Sequence, residues 1–333
     1  MNSPSNPLKR DALFHEAVTA LNRGRVDLAH APIEQLRSDF PDHPKLDLLR
    51  RCAAIMAFDW PAQRAPHTIT SGPVPDPSSI DLVAFHADLP VAPSGIHQEI
   101  DYMEVLALSF ESAQLRAPRA RRILLTDNAT AVPPEMKVDE VMRFPMDLDR
   151  LMYERMRVQA WYLENRPAGR HSILMDSDVV VNRDPAPIFA EAFDIGLTWR
   201  PGFPDAPFNG GLIVVASGDA GLAFFSKARA CYDAFADSPA VAPAFPRDLR
   251  AWWGDQFALA LMVGYREFAE QKSNAERVDG ICVRFFPCDA YNFTVEPREY
   301  APSFFASKYF VHFKGNRKAM QAQYLDLMRS GKA

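Results

Sequence analysis

Asp176-Ser177-Asp178 follows the apolar run Ile173-Leu174-Met175 and precedes Val179-Val180-Val181. An apolar run that ends in two carboxylates one residue apart is how a metal site is mounted at the tip of a buried strand. Alternate side chains of a strand point the same way, so both carboxylates would reach one ion, their Cα atoms roughly 6–7 Å apart. Hard oxygen donors favour Mg²⁺ or Mn²⁺ over zinc. The same pattern also occurs as a solvated turn after a strand, so its meaning depends on what accompanies it.

Three further clusters accompany it. Phe208-Asn209-Gly210-Gly211 reads as a polar turn entering the apolar stretch Leu212-Ile213-Val214-Val215, with paired glycines that let a ligand approach the backbone; a tight bend is the plainer reading. Gly254-Asp255-Gln256 opens an amphipathic segment and puts an acid and an amide near a helix N-terminus, where an N-cap is the simpler role. Val311-His312-Phe313-Lys314-Gly315-Asn316-Arg317-Lys318 joins a strand-end histidine to a glycine turn carrying three cations. Such a turn suits a metal-bound diphosphate, with His312 as nitrogen ligand and Lys318 as point charge; a satisfied core histidine is the alternative.

The surrounding pattern supplies elements to position these residues. Residues 8–60 read as short helices with apolar repeats at Phe14, Val18 and Leu21, at Ile33, Leu36 and Phe40, and at Leu46, Leu49, Ala53 and Met56. Their order, with Gly24 and Pro41 as breaks, is similar to a fragment of a tetratricopeptide array, and Pro32 weakens the second helix. A helical cap covering the next unit is the first expectation for 1–60; a protein-partner surface is the second. The prolines of 61–79 mark an extended linker. From 80 to 330 strands and helices alternate, the signature of an α/β sheet with helices on its faces. Strands are expected at Asp81–His86, Arg122–Thr126, Glu140–Phe144, Ser172–Asp176, Asp194–Trp199, Gly211–Ala216, Ile281–Phe286 and Lys308–Phe313. The clearest helices are Gln98–Leu115, Asp149–Glu164, Gly218–Ala236 and Asp255–Glu267. Ligands of such sheets bind beyond the carboxyl ends of the strands, where Asp176 and Asp178 fall.

Composition narrows the ligand. With 333 residues, 48% of them hydrophobic, and a net charge of -5, the chain carries no electrostatic footprint for nucleic acid or an anionic membrane. Four cysteines without a C-x-x-C pair imply reduced thiols. A polar N-terminus and no apolar run of spanning length point to a cytoplasmic protein with no transmembrane segment. A small anionic ligand is therefore expected.

Asp176-Ser177-Asp178, Phe208-Asn209-Gly210-Gly211, Gly254-Asp255-Gln256 and the H-F-x-G-x-x-K run from His312 to Lys318, in this order, resemble the GT-A glycosyltransferases, in particular the glycogenin and lipopolysaccharide galactosyltransferase group (glycosyltransferase family eight). The resemblance implies a mixed, mostly parallel α/β sheet flanked by helices, here with a small N-terminal all-helical cap. It implies Mn²⁺ (or Mg²⁺) on Asp178 and His312, with Asp176 shared between the ion and the donor ribose. Lys318 and the Gly315 backbone would hold the diphosphate of a nucleotide-sugar donor, with Ser177 and Arg157 beside it. Phe85, His86 and Asp88 would meet the base, Asn209, Gly210 and Gly211 would line the sugar pocket, and Asp255 with Gln256 would flank the transferred sugar. Ala319-Met320 stands where the family often has Pro-Trp, and Gly210 where serine is frequent, so the sugar and the subfamily stay open.

Breaking a bond from a sugar to a nucleoside diphosphate builds negative charge on the leaving group. A divalent ion there supplies several kcal/mol of stabilisation, against about 1 kcal/mol for an exposed lysine. The metal is therefore expected to dominate, with Lys318 and Arg317 assisting. The resemblance implies a UDP-hexose donor, retention at the anomeric carbon and a glycan, lipid-linked or protein acceptor; were the reaction inverting, Asp255 would be the base. Trp199, Phe203, Trp252, Trp253 and Tyr291 are candidates for an acceptor platform or for core packing. Two other readings compete: a haloacid-dehalogenase-like phosphatase, whose first motif is also D-x-D, and a catalytically inactive binding scaffold.

Overall fold

The computed structural model describes residues 6–89, 100–200, 207–236, 238, 241, 254–264, 274–295 and 305–331. Three helices come first, α1 (Pro7–Asn22), α2 (Val26–Asp39) and α3 (Leu46–Ala57). The Asn6 side chain caps α1 by accepting from the Leu8 and Lys9 amides. Pro32 does not break α2. The bond it removes belongs to the carbonyl of Leu28, a residue on the exposed face of the helix. The linker is extended as its prolines require, and its strand β1 (Arg64–Pro66) forms an edge against β9 (Ala275–Val278).

The other elements follow as β2 (Ile80–His86), α4 (Tyr102–Arg116), β3 (Arg121–Asp127), β4 (Glu140–Phe144), α5 (Leu151–Asn165), β5 (His171–Asp176), β6 (Val179–Val181), β7 (Ile195–Trp199) and β8 (Phe208–Val215). Next come α6 (Ala220–Ala236), α7 (Gly254–Met262), β9, β10 (Ile281–Pro287), α8 (Cys288–Tyr291), β11 (Phe293–Thr294), β12 (Phe310–His312) and α9 (Gln321–Arg329). One sheet of nine strands has the order β1-β9-β10-β7-β8-β5-β2-β3-β4. Within it β8 and β9 run against the rest, so the sheet is mixed and mostly parallel, as the resemblance implies. Each of the eight expected strands is present; positions 98–99 and 265–267 of two expected helices lie outside the described residues.

A smaller sheet, β11-β12-β6, matters more for the site. β6 is three buried valines, too short to stand out in the sequence, and β12 pairs with it antiparallel so that His312 lies opposite Val179. The Phe313 amide then donates to the Asp178 carbonyl at 3.0 Å. A second apolar layer, α4, holds this small sheet from behind, where Ser109 Oγ donates to the Val179 carbonyl and Ser112 Oγ accepts from the Val181 amide.

The N-terminal helices share a core with the sheet. Leu13, Ile33, Leu49 and Met56 belong to one apolar cluster with Phe235 of α6 and Phe257 of α7. The rings of Phe58 and Phe235 meet edge to face at 6.2 Å. The four cysteines are free thiols.

At the amino end of β2 the fully buried Asp81 accepts from Arg121 at 2.9 Å and also from Arg170 and the Tyr162 hydroxyl. Burial opposes its ionisation, but the two guanidiniums and the phenol outweigh that and hold its carboxyl below the ordinary range. A carboxyl with a depressed native pKa stabilises the fold above its unfolded value, about 4, and that contribution is lost as pH falls through the native value. Asp81→Ala should cost about 3 kcal/mol, since it strands two guanidiniums and a buried hydroxyl. Urea unfolding at pH 7 and pH 3 checks this: the gap between wild type and variant should narrow at the lower pH, and an equal gap at both would contradict the assignment.

Candidate active site

The strands place their carboxyl ends side by side. Phe85 pairs with Asp176 across β2 and β5, so the two strands end at one level. β8 runs the other way, which brings its first residues, Phe208 and Asn209, to that same edge. A cavity of about 640 Å³ opens there. Its wall takes Phe85, His86 and Asp88 from the end of β2, Asp176, Ser177 and Asp178 from the end of β5, and Asn209 and Gly211 from β8. Gln256 joins from α7, His312 from the end of β12, and Lys314, Gly315 and Lys318 from the segment after it. Tyr102, Met103 and Arg155 also face it and were not expected.

The acidic pair does not sit on one strand. β5 stops at Asp176, and Ser177-Asp178 forms the turn into β6, so the two carboxylates converge across a turn rather than by strand alternation. Ligand atoms of Asp176, Asp178 and His312 lie within 4.8 Å of one another. His312 Nε2 is 2.9 Å from Asp178 Oδ1 and 3.7 Å from Asp176 Oδ2. Lys318 Nζ touches Asp178 Oδ2 at 2.6 Å. Burial works against the Asp178 charge, yet His312 and Lys318 together hold its carboxyl well below the carboxylate range. Burial also depresses His312, which favours the neutral imidazole.

A buried amide fixes which nitrogen of His312 carries the proton. Asn292 Nδ2 donates to Thr198 Oγ1 at 3.0 Å and to Asn209 Oδ1 at 3.1 Å. Its Oδ1 must therefore face His312 Nδ1, 2.9 Å away, and accept from it. With Nδ1 protonated, the Nε2 lone pair points at Asp178. Two electron-rich atoms at 2.9 Å are tolerated only with a shared proton or a cation between them. The donor set of two carboxylates and one imidazole fits Mn²⁺ or Mg²⁺.

Gly210 and Gly211 lie inside β8, not in a turn. The β7–β8 register slips between Leu197 and Trp199, and Thr198 Oγ1 bridges the slip by donating to the Asn209 and Leu212 carbonyls. A Cβ at Gly211 would collide with His312 Cε1 and lie 2.6 Å from Asp176 Oδ2. Glycine is therefore needed there for space. At Gly315 it is needed for conformation, because φ is 58°.

The arginine in the site is Arg155, not Arg157. Two residues along a helix turn the side chain through about 200°, so the two point to opposite sides. Arg157 binds Glu154 and the Pro145 carbonyl and stays out of the cavity. Arg155 is buried, contacts Asp176 at 2.7 Å and Asp255 at 3.7 Å, and donates to the Gly210 carbonyl. Asp255 lies behind Gly210, off the cavity wall; burial lifts its carboxyl to about 6 against the pull of Arg155. Gln256 Oε1 accepts from the Gly210 amide at 3.3 Å.

Other expectations resolve in part. His86 Nε2 is 3.2 Å from Asp88 Oδ1, and the Asp88 amide donates to Thr130 Oγ1, which ties this loop down. Burial lowers the His86 pKa. Trp199 packs into the main core, and Tyr291 stacks on Tyr309 at 5.1 Å, so neither offers a platform on the cavity wall. Phe203, Trp252 and Trp253 lie outside the described residues. Arg317 does not line the cavity. Among the described residues no helix is long and apolar enough to cross a membrane.

No protein-family model and no curated protein matches the chain. Among solved structures, a galactosyltransferase, LgtC, in complex with donor and acceptor sugar analogues is similar at 12% identity, 75% of this chain and 95% of that one, with a TM-score of 0.43. A glycosyltransferase involved in glycosylating the major capsid of PBCV-1 is similar at 15% identity, 74% and 98% coverage and a TM-score of 0.42. These figures describe the course of the chain; the chemistry of the site stands on its own side chains.

Removing the amide that orients His312 should weaken metal binding while leaving all three ligands in place. Asn292→Ala is expected to lower Mn²⁺ affinity about 10- to 100-fold, read by the free-Mn²⁺ signal in an electron paramagnetic resonance titration. An unchanged affinity would mean that the amide does not set the imidazole.

Proposed function

We propose that this chain is a metal-dependent glycosyltransferase that moves a hexose from a nucleoside-diphosphate sugar, with UDP as the nucleotide, to a glycan, lipid-linked or protein acceptor. The observation that carries the reading is the convergence of His312 Nε2 on Asp178, at 2.9 Å, and on Asp176, at 3.7 Å, in the wall of a cavity of about 640 Å³. A divalent cation held by Asp176, Asp178 and His312 supplies positive charge against the departing diphosphate. Lys318 adds a donor beside Asp178, and the backbone at Gly315 gives the phosphates close approach. Phe85, His86 and Asp88 at the end of β2 suit the base, and Asn209 with Gln256 suits the hydroxyls of the sugar.

Retention of configuration fits this site better than inversion. An inverting base must reach the acceptor hydroxyl, whereas Asp255 is buried behind Gly210 and paired with Arg155. Asp255 acts instead as a positioning residue, holding Arg155 against Asp176 and the Gly210 carbonyl.

With Mn²⁺ present, a UDP-hexose at about a hundredfold excess over its Kd should stabilise the protein by roughly 2.7 kcal/mol, and incubation should release UDP. Asp178→Asn should leave the fold intact and cut turnover by about two orders of magnitude, the equivalent of roughly 3 kcal/mol of lost charge stabilisation. Full turnover of that variant in chelator-treated buffer would defeat the proposal. Release of inorganic phosphate from p-nitrophenyl phosphate, without any UDP release from UDP-hexoses, would favour a phosphatase instead.

A further inference from the structure

We propose that Lys318 couples the two ligands of the cavity. It is the counter-ion of Asp178 while no metal is bound and turns to the diphosphate once a nucleotide arrives, so that Mn²⁺ and UDP bind as a pair and only weakly on their own. The inference rests on the transferase reading and adds how the metal and the donor of that site depend on each other.

The two carboxylates carry their own counter-charge before any ion is present. Arg155, which also faces Asp255, takes Asp176 Oδ1 at 2.7 Å, and Lys318 takes Asp178 Oδ2 at 2.6 Å. Both side chains of the Lys318–Asp178 pair are only 9% exposed, so the contact is unlike the screened surface pairs that contribute little. The oxygens left over, Asp178 Oδ1 and Asp176 Oδ2, face His312 Nε2 at 2.9 and 3.7 Å. A cation that enters there meets a carboxylate whose other oxygen already holds an ammonium. Its attraction to Asp178 is offset by repulsion from Lys318, in a wall where little water screens either charge. Lys318 therefore lowers the affinity of the site for metal alone.

Lys318 also has the means to change partner. It forms no second ion pair among the described residues, and its other neighbour is the Tyr102 ring, 5.5 Å from Nζ to the centroid. An aromatic face attracts an ammonium without fixing its direction. The turn that carries it, Gly315–Met320, contains no buried residue, and Lys318 and Tyr102 both line the cavity. A diphosphate offers more negative charge than Asp178, whose own charge the metal then neutralises. The ammonium gains by moving to phosphate oxygens, and the metal site gains by losing a neighbour of like sign. Each ligand removes what opposes the other, which is the condition for positive coupling.

The test titrates the full-length protein with Mn²⁺, without nucleotide and with UDP at saturation, and reads the free-Mn²⁺ signal by electron paramagnetic resonance after subtracting Mn²⁺ held by free UDP. In wild type, UDP should tighten Mn²⁺ binding about tenfold or more. Without nucleotide, Lys318→Met and Lys318→Gln should bind Mn²⁺ about tenfold more tightly than wild type, and the tightening by UDP should fall by a similar factor. Lys318→Arg should behave as wild type. Lys318→Gln keeps a donor for Asp178 Oδ2 and so serves if Lys318→Met fails to fold. In thermal melts, metal-free Lys318→Met should unfold below wild type, and Mn²⁺ alone should close that gap. A gap that Mn²⁺ leaves unchanged would make Lys318 a packing residue and overturn the inference. So would equal gains in Mn²⁺ affinity with and without UDP, or a wild-type Mn²⁺ affinity that UDP does not alter; each of these leaves the transferase reading standing. If wild type binds Mn²⁺ neither alone nor with UDP, that reading falls and this inference falls with it.

Discussion

Two carboxylates at the tip of a buried strand cannot be held with oxygens within 4.8 Å in a weakly polar environment without counter-charge, and the architecture around Asp176 and Asp178 follows from that requirement. The partners arrive from two distant parts of the chain. Arg155 comes from the helix preceding β5, and His312 and Lys318 from β12 and the segment that follows it. The pairing of β12 with β6 makes the second delivery possible, because it locks His312 opposite the residue that follows Asp178. The small sheet is therefore part of the site, and its burial against α4 determines where the imidazole sits.

How far the sequence discloses this depends on the physical range of each signal. Most of the eight expected strands are legible because they are buried apolar runs with polar ends; β4, largely uncovered, is legible from Val141, Met142 and Phe144 alone. β6 and β11 are not, since two or three residues carry no period. Asp176, Asp178, His312 and Lys318 are legible because they sit in dense runs of functional types. Arg155 and Arg157 are indistinguishable by composition, and only the phase of α5 against the sheet separates them. Asn292 gives no local signal: it stands alone between Tyr291 and Phe293, and its meaning arises from Thr198, Asn209 and His312, brought to it by three other strands. Gly211 shows the converse. Its presence is obvious, but the steric reason, the imidazole and carboxylate pressing on its Cα, exists only in the folded chain.

The two ends of the central sheet carry related chemistry with opposite outcomes. At the amino end Asp81 is fully buried and meets two guanidiniums and a phenol, so every lone pair it presents has a donor. That cluster is electrostatically closed; it stabilises the fold and has no capacity left for a ligand. At the carboxyl end the donors stop one short. Lys318 and Arg155 each take a carboxylate oxygen, but the third partner is a neutral imidazole whose own proton is committed to Asn292. Its lone pair and the facing oxygen of Asp178 leave a deficit of positive charge at one point on the cavity wall. A cation answers the deficit. A metal-bound diphosphate would meet that deficit, so the end of the sheet that lacks one donor is the end with capacity for a ligand.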